Sequence, residues 1–288
     1  MHPISPVNIL KVSPNYFEEK SDLVVVEEPL EIRLGYGCLD NREQCSVSVT
    51  MRTPTHDFEL ALGFLYSEGI ITAHNQVLSV KYCIDGGNQT IENIVRVELK
   101  PDVSVNLQSL QRNFYATSSC GVCGKASIEA IDNMICNLPM QNTKQNGLKI
   151  SIDYILNLPK ILDKHQKVFK YTGGLHAAAL FDEVGNIVIL REDIGRHNAL
   201  DKIIGNALTQ GLLPLDNKIL LMSSRASFEL IQKSVMANIQ IIVTMGAPSS
   251  LAIQTAEQFG ITLIGFLRNE NFNIYTGKDR ILLPNKNL

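Results

Sequence analysis

Two cysteines, Cys120 and Cys123, stand three positions apart in Thr117-Ser118-Ser119-Cys120-Gly121-Val122-Cys123-Gly124-Lys125, each followed by glycine. Directly after them, Ile128, Ile131, Met134 and Ile135 recur at the spacing of one helix face over Ala126–Ile135. The hydroxyl run therefore reads as the approach to a helix N-terminus, where unpaired N–H groups and the macrodipole favour negative charge. Lys125 adds a full positive charge. A free cysteine has a pKa of about 8.5, and such surroundings lower it toward the thiolate. The flanking glycines leave the sulfur open to a large partner, so the stretch reads as a reactive sulfur centre.

Other chemistries use the same spacing. A structural zinc site takes a second ligand pair, and here Cys38, Cys45, Cys83 and Cys136 are scattered singly, with no H-x3-5-H. A thioredoxin-like disulfide exchanger would have a strand leading tightly into the motif, which is not apparent. A merely structural turn at a helix start accounts for neither sulfur.

The elements that must position this centre come from 288 residues, enough for two domains. A net charge of −3 with acids and bases interspersed gives no whole-protein field for nucleic acid or an anionic membrane. No apolar run approaches the ~20 residues of a membrane helix, and Met1–Lys11 lacks the pattern of a secretory signal. Free thiols in a reducing cytoplasm are the expectation.

Residues 1–22, with Pro3, Pro6 and Pro14, read as irregular. Strands are expected at Leu23–Val26, Leu30–Leu34, Cys45–Arg52, Val77–Ile84 and Asn93–Leu99. One helix interrupts them, with Thr55 as N-cap, Phe58, Ala61, Leu62 and Leu65 on one face, and Gly69 as the stop. Residues 1–115 are thus expected to form a small β-rich α+β domain. In residues 116–288 a helix is expected around Ile152–Leu162, with strands at His176–Phe181, Ile187–Arg191, Lys218–Ser223, Gln240–Met245 and Ile261–Leu267. Helical faces lie between, through Leu200/Ile203/Ile204/Ala207, Phe228/Ile231/Val235 and Leu251/Ala252/Ala256/Phe259. The alternation predicts an α/β domain with a largely parallel sheet.

In such sheets ligands sit beyond the carboxyl ends of strands. Arg191–Asn198, Ser223–Ser227, Gly246–Ser250 and Gly265–Asn271 fall there, carrying Arg196, His197, Arg225 and Arg268. Taken singly, Asp193, Ser227 and Ser249 read first as helix caps, and Arg225 and Arg268 as partners of surface carboxylates. Together the loops suit phosphate or diphosphate, with Phe266 to stack a base. The P-loop pattern is absent, so a P-loop NTPase is not expected.

These segments resemble the FdhD family of formate dehydrogenase accessory sulfurtransferases. The resemblance runs through Arg52-Thr53-Pro54, Asp57–Leu65, Ser119–Gly124, Thr172–Ala178, Arg191–Lys202, Ser224–Leu230, Gly246–Ala252 and Gly265–Arg268. It implies a cytidine-deaminase-like, three-layer α/β/α C-terminal domain and a homodimer. Zinc deamination does not carry over, because Ala177-Ala178 follow His176 where H-x-E would stand, and Ser119 replaces the proline before the first cysteine. It further implies that Cys120, assisted by Cys123, accepts sulfur as a persulfide from a cysteine desulfurase. The sulfur passes to molybdenum bis(molybdopterin guanine dinucleotide), or a tungsten version, for formate dehydrogenase. Phe266, Leu267, Arg268, Asn269, Glu270 and Asn271 match the family's cofactor-binding segment, with Arg196 and His197 as added contacts. No structural metal is expected. The alternatives are a non-catalytic chaperone that holds the cofactor and a thiol–disulfide oxidoreductase.

Overall fold

The computed structural model describes residues 2–84, 90–105 and 148–283. Cys120, Cys123, the helix expected over Ala126–Ile135 and the expected domain boundary at residue 115 lie outside the described residues.

The chain begins with an antiparallel ribbon, β1 (Ile4–Ser13) and β2 (Tyr16–Val25), in which Ser13 faces Tyr16 across the turn Pro14-Asn15. This corrects the expectation of irregular structure. In a ribbon of two strands both are edge strands, where the missing N–H of Pro6 is tolerated, and Pro14 occupies the turn itself.

A four-stranded sheet follows, built from β3 (Glu28–Tyr36), β4 (Glu43–Arg52), β5 (Val77–Ile84) and β6 (Thr90–Leu99) in the order β4-β3-β6-β5. Each contains a strand expected from the Val- and Ile-rich runs. Helix α1 (Asp57–Ser67) covers one face, where Leu60, Ala61 and Leu65 meet Leu30, Ile32, Leu34, Val95 and Val97. Thr55 is not its cap. His56, at φ 57°, holds that position without a side-chain cap bond, and Thr55 precedes it at φ 113°. Phe58 also departs from expectation: it lies outside the core, its ring 4.8 Å from that of Tyr82. Leu60 to Leu65 are all buried, because α1 is covered on both sides.

The second sheet holds β8 (His176–Phe181), β9 (Ile187–Asp193), β10 (Ile219–Met222), β11 (Ile241–Thr244), β12 (Thr262–Gly265) and β13 (Asn273–Thr276), ordered β13-β12-β11-β10-β8-β9. Only β10–β11 and β11–β12 pair in parallel; β8, β9 and β13 join antiparallel, which corrects the expectation of a largely parallel sheet. The reason is connection length. Phe181 and Ile187 are joined by too few residues for a crossover, so the chain must turn back as a hairpin.

Helices α4 (Arg196–Thr209), α5 (Phe228–Met236) and α6 (Ser250–Gln258) bury Leu200, Ile203, Leu230, Ile231 and Ala256 against one face. Helix α2 (Ile152–His165) packs Ile155, Leu158 and Leu162 on the other, preceded by the short β7 (Ile150–Ser151), which pairs with β14 (Ile281–Leu282). One-turn α3 (Phe169–Thr172) leads into β8. Among the described residues no helix is long and apolar enough to cross a membrane.

The two sheets are coupled where α1 crosses α4 at bare backbone. A Cβ on Gly63 would lie 1.8 Å from the Asp201 carbonyl oxygen, and one on Gly205 1.9 Å from that of Glu59. Polar groups flank the crossing. Glu59 accepts from Arg191 at 2.5 Å and Asn206 at 2.8 Å, while Lys233 reaches Asp201 at 3.0 Å and Ser67 at 2.9 Å.

Candidate functional site

Strands β10, β11 and β12 run the same way and end at Met222, Thr244 and Gly265. Antiparallel β8 begins, and β9 ends, at that same edge, with His176 opposite Asp193. Loops from five strands therefore collect along one rim, and backbone bonds continue the ladder beyond the strands. Met245 N donates to Met222 O at 3.0 Å, Gly246 N to Ser224 O at 3.0 Å, Phe266 N to Gly246 O at 3.1 Å and Leu267 N to Thr244 O at 3.1 Å. Gly246 is required for this fit, since a Cβ there would stand 2.9 Å from the Arg225 backbone.

At one end of the rim, Phe266 adopts φ 53°, a conformation that costs an aromatic residue energy, and the residue is 41% exposed. Strain of this kind persists where the surroundings impose it and concentrates at ligand clamps. Arg268 N donates to Asn271 O at 2.9 Å, closing a turn that leaves Asn269, Glu270 and Asn271 at the surface. The Arg268 guanidinium donates to Met245 O at 2.6 Å and Leu267 O at 3.0 Å, so it is tied to backbone rather than to a surface carboxylate. The Leu267 side chain is fully buried in the core, which leaves only its backbone to face a ligand. Arg225 is exposed, and its carbonyl oxygen accepts from Ser224 Oγ at 3.1 Å. Beside Met245 opens a cleft of about 450 Å³ lined by Leu162, Gln166, Gly174, His176 and Ser223.

Arg196 and His197 stand at the first turn of α4, after β9. Four strand spacings separate β9 from β12, or roughly 19 Å. The His197 side chain itself reaches back toward the middle of the rim, to Ser227 after β10, two places from β12. Ser227, the residue before α5, makes no side-chain cap bond and instead stands 3.3 Å from His197 Nε2, with Glu229 at 3.9 Å. Burial, joined by the Lys233 and Arg196 charges, pushes the His197 pKa down to about 4. Burial and Arg196 lower that of His176 as well. Both imidazoles are thus neutral near pH 7 and offer one donor and one acceptor each. Among the described residues Arg196 Nε is buried without a hydrogen-bond partner. Ser249 does cap its helix, accepting from Ala252 N at 3.2 Å. Asp193 does not: Gly195 is the N-cap of α4, and the Asp193 carboxylate is buried against Lys202 Nζ at 2.6 Å. Sequence reasoning missed that pairing because it joins residues nine apart around a helix start, where a cap is the simpler reading.

Cys38, Cys45 and Cys83 are free, and among the described residues no cluster of three His, Cys, Asp or Glu side chains is placed to hold a metal.

Comparison with known proteins gives the fold first. A crystal structure described as a putative formate dehydrogenase accessory protein from Desulfotalea psychrophila superposes with a TM-score of 0.72, covering 98% of this chain and 100% of that one at 21% identity. At that identity the likeness is one of fold. The family model described as FdhD/NarQ matches residues 25–282. Relatives named sulfur carrier protein FdhD include one from Streptomyces coelicolor, 44% identical over 279 residues that span 96% of this chain and 94% of that protein. Another, from Mycolicibacterium paratuberculosis, is 48% identical over 266 residues, spanning 91% and 93%. The chain belongs to the FdhD/NarQ family.

Proposed function

We propose that this protein is a cytoplasmic sulfur carrier serving formate dehydrogenase, and that Cys120 carries the sulfur. The observation that carries the reading is the Cys120-Gly121-Val122-Cys123 motif within the span that matches the FdhD/NarQ family, in a chain whose relatives are named sulfur carriers. In this reading the Cys120 thiolate attacks the terminal sulfur of a cysteine desulfurase persulfide. The donor S–S bond breaks, the desulfurase leaves as a thiol, and Cys120 becomes a persulfide. The Cys123 thiolate then attacks the inner sulfur of Cys120, forming the Cys120–Cys123 disulfide and releasing hydrosulfide to the acceptor; an external dithiol reduces the disulfide.

The acceptor is molybdenum bis(molybdopterin guanine dinucleotide), bound as cargo along the rim. Phe266 stacks guanine, and Arg268 and the surface groups of Asn269, Glu270 and Asn271 hold the nucleotide. Arg196 and His197 add contacts to the same molecule from the first turn of α4, beside Ser227. The protein's contribution is to position two bulky partners and shield the persulfide from water and oxidants. The same reading takes residues 1–115 and 116–288 as two domains, the second deaminase-like, and the working unit as a homodimer.

Incubating the protein with desulfurase and cysteine should add one sulfur by intact mass, and Cys120→Ala should abolish the increment. Undiminished loading of that variant would remove Cys120 from the role. A wild-type protein that binds GDP yet never acquires sulfur would mark a chaperone instead.

A further inference from the structure

The segment Thr50–Asp57 links the two sheets by facing both ways. Arg52, fully buried, turns into the N-terminal sheet, where it forms a fork with Asp57 at 3.1 and 2.8 Å and reaches Glu28 at 3.2 Å. Its neighbour Thr53, 1% exposed, turns the other way with every polar group it has. Thr53 N donates to Asp193 Oδ2 at 3.3 Å, Thr53 Oγ1 accepts from Ile194 N at 3.2 Å, and Thr53 O accepts from Lys202 Nζ at 3.0 Å. Asn198 adds to the seam by donating to Met51 O at 2.8 Å and to Asp193 Oδ1 at 3.1 Å, with Thr50 Oγ1 3.2 Å from its Oδ1. Asp193 Oδ1 also accepts from Gly195 N at 2.8 Å.

These partners bracket Arg196 and His197 on both sides: Asp193, Ile194 and Gly195 before them, Asn198 and Lys202 after. A buried carboxylate with several donors around it allows little movement, since any displacement leaves an unsatisfied group out of reach of water. The helix end that carries the two side chains is therefore held from the other sheet.

We propose that Thr53 is a positioning residue: through Asp193, Ile194 and Lys202 it fixes where Arg196 and His197 stand, so that the N-terminal sheet is a working part of the ligand rim. The consequence for ligand binding rests on the reading of Arg196 and His197 as ligand contacts; the positioning itself does not.

The test uses the full-length protein with Thr53→Val, which keeps shape and deletes the acceptor for Ile194 N, and Thr53→Ser, which restores it. The His197 ring is followed by proton NMR across a pH titration, and GDP binding by calorimetry. In Thr53→Val the His197 midpoint should rise from about 4 toward its ordinary value as the ring gains solvent. GDP affinity should fall on the order of fivefold or more for one lost buried hydrogen bond, and Thr53→Ser should behave as the parent. A parental His197 titration in folded Thr53→Val overturns the proposal. A shifted titration with unchanged GDP affinity upholds the positioning and removes Arg196 and His197 from the nucleotide site. If Thr53→Val does not fold, the half-buried Thr50→Val probes the same seam through Asn198, with the same outcomes.

Discussion

Gly205→Ala tests the contact on which the two sheets depend. A methyl at Gly205 would lie 1.9 Å from Glu59 O, 2.7 Å from Glu59 C and 2.8 Å from Gly63 N, all backbone atoms that cannot rotate away. Ordinary C···O approach between neighbouring backbones is about 3.3 Å, so α1 and α4 must separate by roughly 1.4 Å. A gap of 0.5–1 Å already forfeits about a quarter to a half of the dispersion attraction across it, and overpacking of this kind typically costs about 1–3 kcal/mol, occasionally more. Alanine returns about 1 kcal/mol through helix propensity. The net expectation is a destabilisation of about 2 kcal/mol or more, seen as a lower midpoint in urea and a fall in Tm on the order of 4–8 °C. Gly63→Ala should cost a similar amount, and the double variant less than the sum, because one separation relieves both clashes. If Gly205→Ala melted at or above the parental temperature, the close crossing of α1 and α4 would be refuted.

Two further outcomes follow from the same geometry. Burial opposes the charge of Glu59, but the hydrogen bonds from Arg191, His56 and Asn206 outweigh it and hold its pKa at about 2. This carboxylate is depressed in the folded state, so its stabilisation is present above the unfolded value near 4.5 and is lost as pH falls toward about 2. Glu59→Gln should flatten the fall in stability through that window, and an unchanged acid profile would show that the pairing contributes nothing. Phe266→Gly relieves a left-handed backbone while removing the exposed ring. Stability should stay within about 1 kcal/mol of the parent, whereas GDP affinity should drop; unaltered affinity would dismiss the ring as a base platform.

Much of the architecture is visible in residue pattern because burial imposes a period. Val77–Ile84 is a strand with those same limits, and the i, i+3, i+4, i+7 face through Leu200 and Ala207 lies on α4. The misreadings have physical causes as well. Pro6 and Pro14 look like breakers until a two-stranded ribbon supplies unpaired edges and a turn for them. Phe58 fits the apolar stripe of α1 by spacing, yet Leu60–Leu65 are buried all round and the stripe loses its meaning. Asp193 looks like a cap, although its partner Lys202 comes from two turns into the helix.

By itself the sequence determined the spacing of the cysteine pair, the alternation of elements and the family, because each is written in residue types and short spacings. Tertiary structure alone decided that β8 joins β10 antiparallel, that β13 lies at the sheet edge beside β12, and that His197 comes against Ser227. It alone turned Arg52 and Thr53 toward opposite sheets. The difference is one of range. Periodicity and capping act over a few residues along the chain, whereas Thr53 meets Asp193 and Ile194 across separations of 140 and 141 positions.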